Sequence, residues 1–260
     1  STPKPSSAAS DVYKRQNNLV ARNPWHGIVC MYGSAVIINN TIANAQWGTG
    51  IACTEPTSTI IITNNIITKN QYGIVANGGS WSVVPMFHIS YNDVWGNYID
   101  YWESYGDPDW GYSGCFTPSP GTGEISKDPL FVDAANRDYH LKSTAGHWDP
   151  NQCIWVYDAN TSPCIDAGDP ASNWTAELWP HGKRINMGVF GGTAEASMSL
   201  SGAGNIADLN NDGFVNYNDL RLFTDQWLNQ QTLLCEDLDR DGFVSFIDFT
   251  IFGDNWLWNE

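Results

Sequence analysis

The 260 residues carry 28 acidic against 12 basic side chains, a formal net charge of −16, so no basic stripe is available to neutralise phosphates and nucleic acid is excluded as a partner. No run of about 18 apolar residues occurs, so no segment reads as a membrane-spanning helix. The length allows one domain of about 200 residues and a small appendage.

The acids are unevenly placed. From Ser201 onward eleven Asp and Glu face only Arg221 and Arg240, net −9, which leaves −7 for the first 200 residues. Such local density points to bound cations. Thirteen Trp among 34 aromatics supply flat faces that suit glycans and equally fill cores. The six cysteines, Cys30, Cys53, Cys115, Cys153, Cys164 and Cys235, fit an exported protein, and none stands in a C-x-x-C pair of the kind that binds zinc or does thioredoxin-type chemistry.

Residues 1–16 show no periodicity and read as an unstructured leader. From Asn17 an Asn-centred step recurs, as Asn17-Asn18, Asn39-Asn40, Asn64-Asn65 and Tyr91-Asn92, with spacings of 22, 25 and 27 residues. A second beat lies between them, Gly27-Ile28, Gly50-Ile51 and Gly73-Ile74, spaced 23 and 23. Short β-branched runs such as Val36-Ile37-Ile38 and Thr59-Ile60-Ile61-Ile62 separate the beats. Two strand signals and an Asn turn per 22 to 27 residues describe one coil of a parallel β-helix, and about four coils are visible. No coil can bury its inward side chains alone; stacking coils about 4.8 Å apart gives every backbone group a partner. Asn suits the turn because it tolerates the left-handed conformation and its amide can bond the next Asn along the stack. The same register places Cys30 and Cys53 on the core side of neighbouring coils, as buried ladder residues or as a disulfide.

These repeats resemble the right-handed parallel β-helix, or pectate-lyase-like, superfamily. The resemblance continues in Asp128-Pro-Leu-Phe-Val-Asp133, Asp138-Tyr-His-Leu-Lys-Ser143, Ser162-Pro-Cys-Ile-Asp-Ala-Gly-Asp-Pro170 and Arg184-Ile-Asn-Met-Gly-Val-Phe-Gly-Gly-Thr193, strings similar to the closing segment of large exported bacterial β-helix proteins. It covers residues 17–193 and implies a secreted or cell-surface location. The start at Asn17 shows no cap for an exposed strand edge, so further coils are expected upstream of it. The resemblance also implies a polysaccharide partner, cleaved by a polysaccharide lyase using calcium and a basic residue, or by a glycoside hydrolase using paired carboxylates. Arg22 and Lys69 fall at comparable points after the Asn turn. Asp93, Asp100, Glu103, Asp107 and Asp109 lie among Trp95, Tyr98, Tyr101, Trp102, Tyr105, Trp110 and Tyr112. Neither group meets the requirements of either reaction, and no residue is assigned a catalytic role. His26, His88, His140, His147 and His181 read as structural.

Residues 194–204, rich in Ala, Ser and Gly, read as a linker. Beyond it, Asp208, Asn210, Asp212, Asn216 and Asp219 place oxygen side chains at loop positions 1, 3, 5, 9 and 12, with Gly213 at position 6 and the Phe214 carbonyl at position 7. The pattern returns 29 residues later in Asp237, Asp239, Asp241, Gly242, Phe243, Ser245 and Asp248. Calcium takes six to eight oxygens, and this spacing wraps one chain around one ion, so two Ca2+ ions are expected. Each loop leads into a helix with matching apolar positions, Leu220/Phe249, Phe223/Phe252, Trp227/Trp256 and Leu228/Leu257. A module this small rarely stabilises itself by burial alone, so the metal is expected to drive its folding.

The duplicated loops, each followed but not preceded by a helix, resemble a type I dockerin over residues 205–258. That resemblance implies a cohesin-type protein as partner, engaged by Tyr217-Asn218 and Phe246-Ile247 at loop positions 10 and 11. The chain as a whole reads as mainly β: a right-handed parallel β-helix over residues 17–193, then an α-helical, dockerin-like pair of EF-hand calcium loops over residues 205–260. Its function reads as an exported polysaccharide-associated protein docked through the tail. The alternative is a non-catalytic surface or adhesion protein whose β-helix is a spacer.

Overall fold

The computed structural model describes residues 13–31, 33–54, 59–77, 86–104 and 118–260. The chain forms two compact units, Ser1–Asp128 with Met187–Val189, and Pro129–Asn186 with Phe190–Glu260.

In the first unit the described strands come in threes. They are β1 (Tyr13–Gln16), β2 (Leu19–Ala21) and β3 (Ile28–Met31); β4 (Ala35–Ile38), β5 (Thr41–Ala43) and β6 (Thr49–Thr54); β7 (Ile60–Thr63), β8 (Ile66–Thr68) and β9 (Tyr72–Asn77); and β10 (Phe87–Ser90), β11 (Asp93–Trp95) and β12 (Ile99–Ser104). Every third strand pairs in parallel, which gives three four-stranded sheets, β1-β4-β7-β10, β2-β5-β8-β11 and β3-β6-β9-β12. This is a parallel β-helix. Alternate side chains point inward, and Ile37, Ile42, Ile51, Ile60, Ile62, Ile67 and Ile74 fill the core with no exposure. Isoleucine dominates because its branched Cβ packs against the same residue one coil away.

Two expectations change. Each coil has three strands, not two, because the three-residue strand after each Asn step is too short to leave a periodic signal. The leader is also shorter: Tyr13–Gln16 is a strand in register with Ala35–Ile38. All four of its side chains are exposed, so the backbone ladder holds it and no apolar alternation marks it.

The Asn steps divide the labour between adjacent residues. The first of each pair, Asn17, Asn39, Asn64 and Tyr91, adopts φ between 50° and 59° and turns the chain. The second forms the ladder: Asn18 Nδ2 donates to Asn40 Oδ1 at 2.9 Å, Asn40 to Asn65 at 2.9 Å and Asn65 to Asn92 at 2.8 Å. A second corner repeats the device with Arg22, Asn44, Lys69 and Gly96 in the left-handed region. There Asn70 Nδ2 donates to Asn97 Oδ1 at 3.0 Å. Cys30 and Cys53 are registered neighbours in β3 and β6, both buried and both free thiols.

Met187–Val189 straps the outside of these coils. Gly188 N–H donates to Asn64 O at 2.8 Å, and Val189 N–H to Thr41 Oγ1 at 3.0 Å. Gly188 has φ +90°, and a Cβ there would lie 2.7 Å from Ile66 Cδ1, so the Met-Gly-Val string requires glycine at this point.

The second unit begins with two antiparallel pairs, β13 (Phe131–Asp133) with β14 (Asp138–Leu141) and β15 (His147–Asp149) with β16 (Ile154–Val156). It ends with α1 (Tyr217–Asp225) and α2 (Phe246–Asp254). The stretch expected as a linker is packed: Ala196, Ser197, Met198 and Ser199 are buried. Ser197 Oγ donates to Leu141 O, and Met198 N–H to Gly146 O at 2.9 Å. Small hydroxyl side chains, which read as flexible in sequence, here satisfy backbone groups of the closing segment.

Candidate metal centre

Each C-terminal loop folds around its first carboxylate. Asp208 accepts from the N–H groups of Asp212 at 3.1 Å and Gly213 at 3.0 Å. Asp237 accepts from Asp241 at 3.1 Å and Gly242 at 2.8 Å. Gly213 and Gly242, with φ of 87° and 85°, make the sharp turn at position 6. The last carboxylate closes the loop from the other side. Asp219 accepts from Asn210 N–H at 3.2 Å and Asn216 N–H at 2.9 Å. Asp248 accepts from Asp239 at 3.0 Å and Ser245 at 2.7 Å.

The result is two acidic triads, Asp208 with Asp212 and Asp219, and Asp237 with Asp239 and Asp248. Within each, one oxygen per residue lies within 4.8 Å of the others, a set that could hold a metal ion. Burial makes the case stronger than sequence spacing. Asp219 and Asp248 are fully buried and Asp208 and Asp237 nearly so, and among the described residues no lysine or arginine forms an ion pair with any of the four. Arg240 attracts Asp237 from beyond ion-pair distance, but buried carboxylates held this close together are costly, and a cation between them removes the cost. Desolvation raises the pKa of Asp208, Asp237 and Asp239, and neighbouring carboxylates push the same way. An all-oxygen donor set of this kind suits a hard divalent ion.

The expected ligands take unequal roles. Asn210 Oδ1 accepts from Asp212 N–H at 2.9 Å, and Asp241 Oδ1 accepts from Phe243 N–H at 2.9 Å. Asn216 and Ser245 serve as helix N-caps, accepting from the N–H groups of Asn218 and Ile247. Asp219 and Asp248 complete reciprocal capping boxes. One carboxylate thus starts each helix and closes each loop. The Phe214 and Phe243 carbonyls remain candidates for position 7.

Phe223 and Phe252 stack at 5.5 Å in the shared core, flanked by Val215 and Val244. Leu220, Trp227 and Trp256 pack on it from the periphery. The expected Leu228/Leu257 pair does not join that core; these residues are 57% and 72% exposed. They lie in the left-handed region past the helix ends, with φ of 61° and 64°. Each donates its N–H to the position-8 valine of the other loop, Leu228 to Val244 O at 3.0 Å and Leu257 to Val215 O at 3.1 Å. The two halves therefore lock reciprocally, each loop held by the other helix's end. Tyr217, Phe246 and Ile247 face solvent at 77%, 73% and 56% exposure.

Elsewhere the candidate groups are mostly absorbed into structure. Asp93 is buried and accepts from Lys127 N–H at 3.0 Å, and Asp100 accepts from Asn97 Nδ2 at 2.9 Å. Tyr101 donates to Glu124, a residue the sequence reading did not single out. Arg22 and Lys69 share one corner position, and Lys69 Nζ lies 5.9 Å from the Trp95 ring centre. Tyr105, Asp107, Asp109, Trp110 and Tyr112 lie outside the described residues. His140 bonds Asp138 at 2.7 Å and Glu195 at 3.3 Å, His147 bonds Asp158 at 2.6 Å, and His26 accepts from Thr49 N–H.

A family model described as disaggregatase related matches residues 7–168, more than half of the chain and most of the β-helix, and ends before the tail. No curated protein and no solved structure matches the chain.

Proposed function

The chain belongs to the disaggregatase-related family, and from that premise we propose that it is an exported, polysaccharide-associated β-helix protein whose tail binds two calcium ions. The observation that carries the calcium half is the duplicated triad, in which two buried carboxylates and one exposed carboxylate converge in each loop. Calcium fits better than magnesium because the loops offer carbonyl and carboxylate oxygens from one wrapped chain, whereas magnesium keeps most of its water. Bound there, calcium supplies charge compensation and fixes the loop backbone. Asp208, Asn210, Asp212 and Asp219, and in the second loop Asp237, Asp239, Asp241 and Asp248, would hold it.

The polysaccharide half is supported by an aromatic strip. Trp25, Trp47 and Tyr98 are 67%, 68% and 78% exposed, and each sits in the connection between the second and third strands of its own coil. Stacked coils rise about 4.8 Å each, so these rings lie along one edge of the stack, where sugar faces can lie against them. The surface charge agrees with an acidic glycan. Between Val12 and Asn92 Glu55 is the single acid, against Lys14, Arg15, Arg22 and Lys69, in a chain that is otherwise strongly negative. The exposed Tyr217, Phe246 and Ile247 offer an apolar face for a cohesin-type partner.

A non-catalytic role as a surface or adhesion protein has its own support. Asp93, Tyr101 and Glu124, the groups closest to a carboxylate site on the described coils, are consumed in backbone and ladder hydrogen bonds. Two measurements decide. Calorimetry of the chelated chain with calcium should show two ions per chain, with helical circular dichroism rising; no binding overturns the calcium half. Electrophoresis through gels holding acidic or neutral polysaccharide should retard the chain in the acidic gel and less so for Trp47→Ala. New reducing ends or unsaturated products would establish an enzyme, and retardation without products a binder.

A further inference from the structure

The loops do more than face each other. Position 4 of each loop, Asn211 and Arg240, lies between the candidate ligands at positions 3 and 5, and both residues are in the left-handed region, with φ of 58° and 64°. Both reach into the closing segment of the same compact unit. Asn211 Oδ1 bonds His181 Nε2 at 3.1 Å. Arg240 donates to Trp179 O and places its guanidinium 5.2 Å from the Trp155 ring centre. At the chain end Glu260 pairs with Lys183. Around these contacts lies a cavity of about 280 Å3 lined by Glu177, Trp179, His181, Asn211, Glu236 and Arg240, among others. The tail is thus seated on the closing segment by the tips of its metal loops, and its exposed aromatic face, Tyr217 and Phe246, is left for other uses.

We propose that this seam is a metal-gated intramolecular docking surface: ions in the two loops hold Asn211 and Arg240 in the geometry that clamps the tail onto residues 154–157 and 179–183. The physical reason is that positions 3 and 5 are drawn to the same ion, which fixes the backbone of position 4 between them. Without the ion, the carboxylates at positions 1, 5 and 12, with a fourth at position 3 of the second loop, repel and the loop tip loses that fixed shape. Release of the clamp would leave Arg240 and His181 in solvent and open the cavity. The inference rests on the calcium reading above but adds a consequence for residues outside the loops.

Hydrogen exchange on the full chain, with calcium and with chelator, tests it. Calcium should slow exchange of residues 154–157 and 179–184 by about ten-fold or more, with no change in the coil residues Ala35–Ile38 and Ile60–Thr63. The double variant Asn211→Gly with Arg240→Gly keeps every candidate ligand and suits the left-handed backbone. It should still bind two ions by calorimetry while the closing segment loses its calcium response. If calcium binds and protects the loops while the closing segment is unmoved in the native chain, the clamp is wrong and the calcium site stands. If calorimetry detects no calcium, both readings fall. The native-chain comparison stands alone should the double variant not fold.

Discussion

Glu124 receives both N–H donors of Asn92 on one oxygen, the backbone N–H at 2.8 Å and Nδ2 at 2.7 Å. A carboxylate therefore stands where the next asparagine of the ladder would be, with Tyr101 donating to its other oxygen. Asparagine passes a hydrogen bond on because it both donates and accepts, whereas a carboxylate only accepts and so ends the run. Burial raises the pKa of Glu124, against the lowering effect of its donors, and burial beside the Glu124 charge also raises that of Tyr101. Replacing Glu124 with Ala would strand the buried backbone N–H of Asn92 and the Tyr101 hydroxyl, while Asn92 Nδ2 keeps Ile62 O and Ser90 O, a loss of about 2–4 kcal/mol. Glu124→Gln keeps an acceptor for Asn92 and should cost much less. Urea denaturation followed by tryptophan fluorescence reads the difference; equal losses for the two variants would show that the ladder end contributes nothing through its oxygen.

Asn65 stands in the middle of the same ladder and is fully buried. Its Nδ2 contacts Ile37 O and Thr63 O at 2.9 Å besides Asn92, and its Oδ1 accepts from both nitrogens of Asn40. Asn65→Ala removes all of these at once and leaves partners on two coils unsatisfied, so a loss of about 3 kcal/mol or more is expected. Asn18→Ala, at a partly exposed position, should cost about 1 kcal/mol or less. Denaturation midpoints of the two variants in parallel give the comparison. The neighbour Asn64, at φ 59°, should accept Gly far better than Val, since its task is the turn.

Glu177 provides a pH dependence with a definite sign. It is buried, and Oε1 accepts from the N–H groups of Asn186 and Gly192, each at 2.8 Å. Desolvation outweighs those bonds and pushes its pKa up to about 8 from 4.5. Between these values the unfolded chain gives up the proton and the folded chain keeps it. The stabilising contribution is therefore complete below about pH 4.5 and is lost as pH rises through about 8, a change on the order of a few kcal/mol. Glu177→Gln keeps the Oε1 acceptor and removes the titration. The difference in thermal midpoint between wild type and variant, at fixed free calcium, should grow in the variant's favour from pH 5 to 8; a constant difference would refute the assignment.

What could be read in advance follows from what fixes each feature. The coil period was legible because an Asn step must recur wherever the chain turns, and Asn64-Asn65 looks like Asn39-Asn40 for that reason. Tyr13–Gln16 left no trace because a fully exposed strand is held by backbone bonds alone. Glu124 was invisible because it replaces the repeated residue and lies 32 positions past Asn92. The acidic loops were legible since candidate oxygen ligands recur at fixed spacing in the sequence, and the fold gathers three carboxylates of each into a set that could hold a metal ion. That Asn216 and Ser245 also cap α1 and α2, and that Leu228 and Leu257 turn the chain back to the opposite loop, depends on contacts between the halves that spacing does not encode.

The doubled duty of Asp219 and Asp248 gives the sharpest test of the metal centre. Each is fully buried, accepts backbone N–H bonds at the helix start and faces two other carboxylates. Substituting Asn for either keeps one oxygen for the capping bond, gives up the second oxygen that accepts from the loop N–H groups, and removes a buried charge. Without metal the fall in repulsion and desolvation outweighs that lost acceptor, so the variant should be more stable than wild type, by about 1 kcal/mol. With metal the order should reverse, since one charged ligand is missing and affinity drops. Thermal unfolding of wild type, Asp219→Asn and Asp248→Asn in chelator and in excess calcium would show the crossing. Variants less stable than wild type in chelator would mean that these carboxylates serve the helix caps and not an ion. A crossing for one loop alone would assign the metal to that loop.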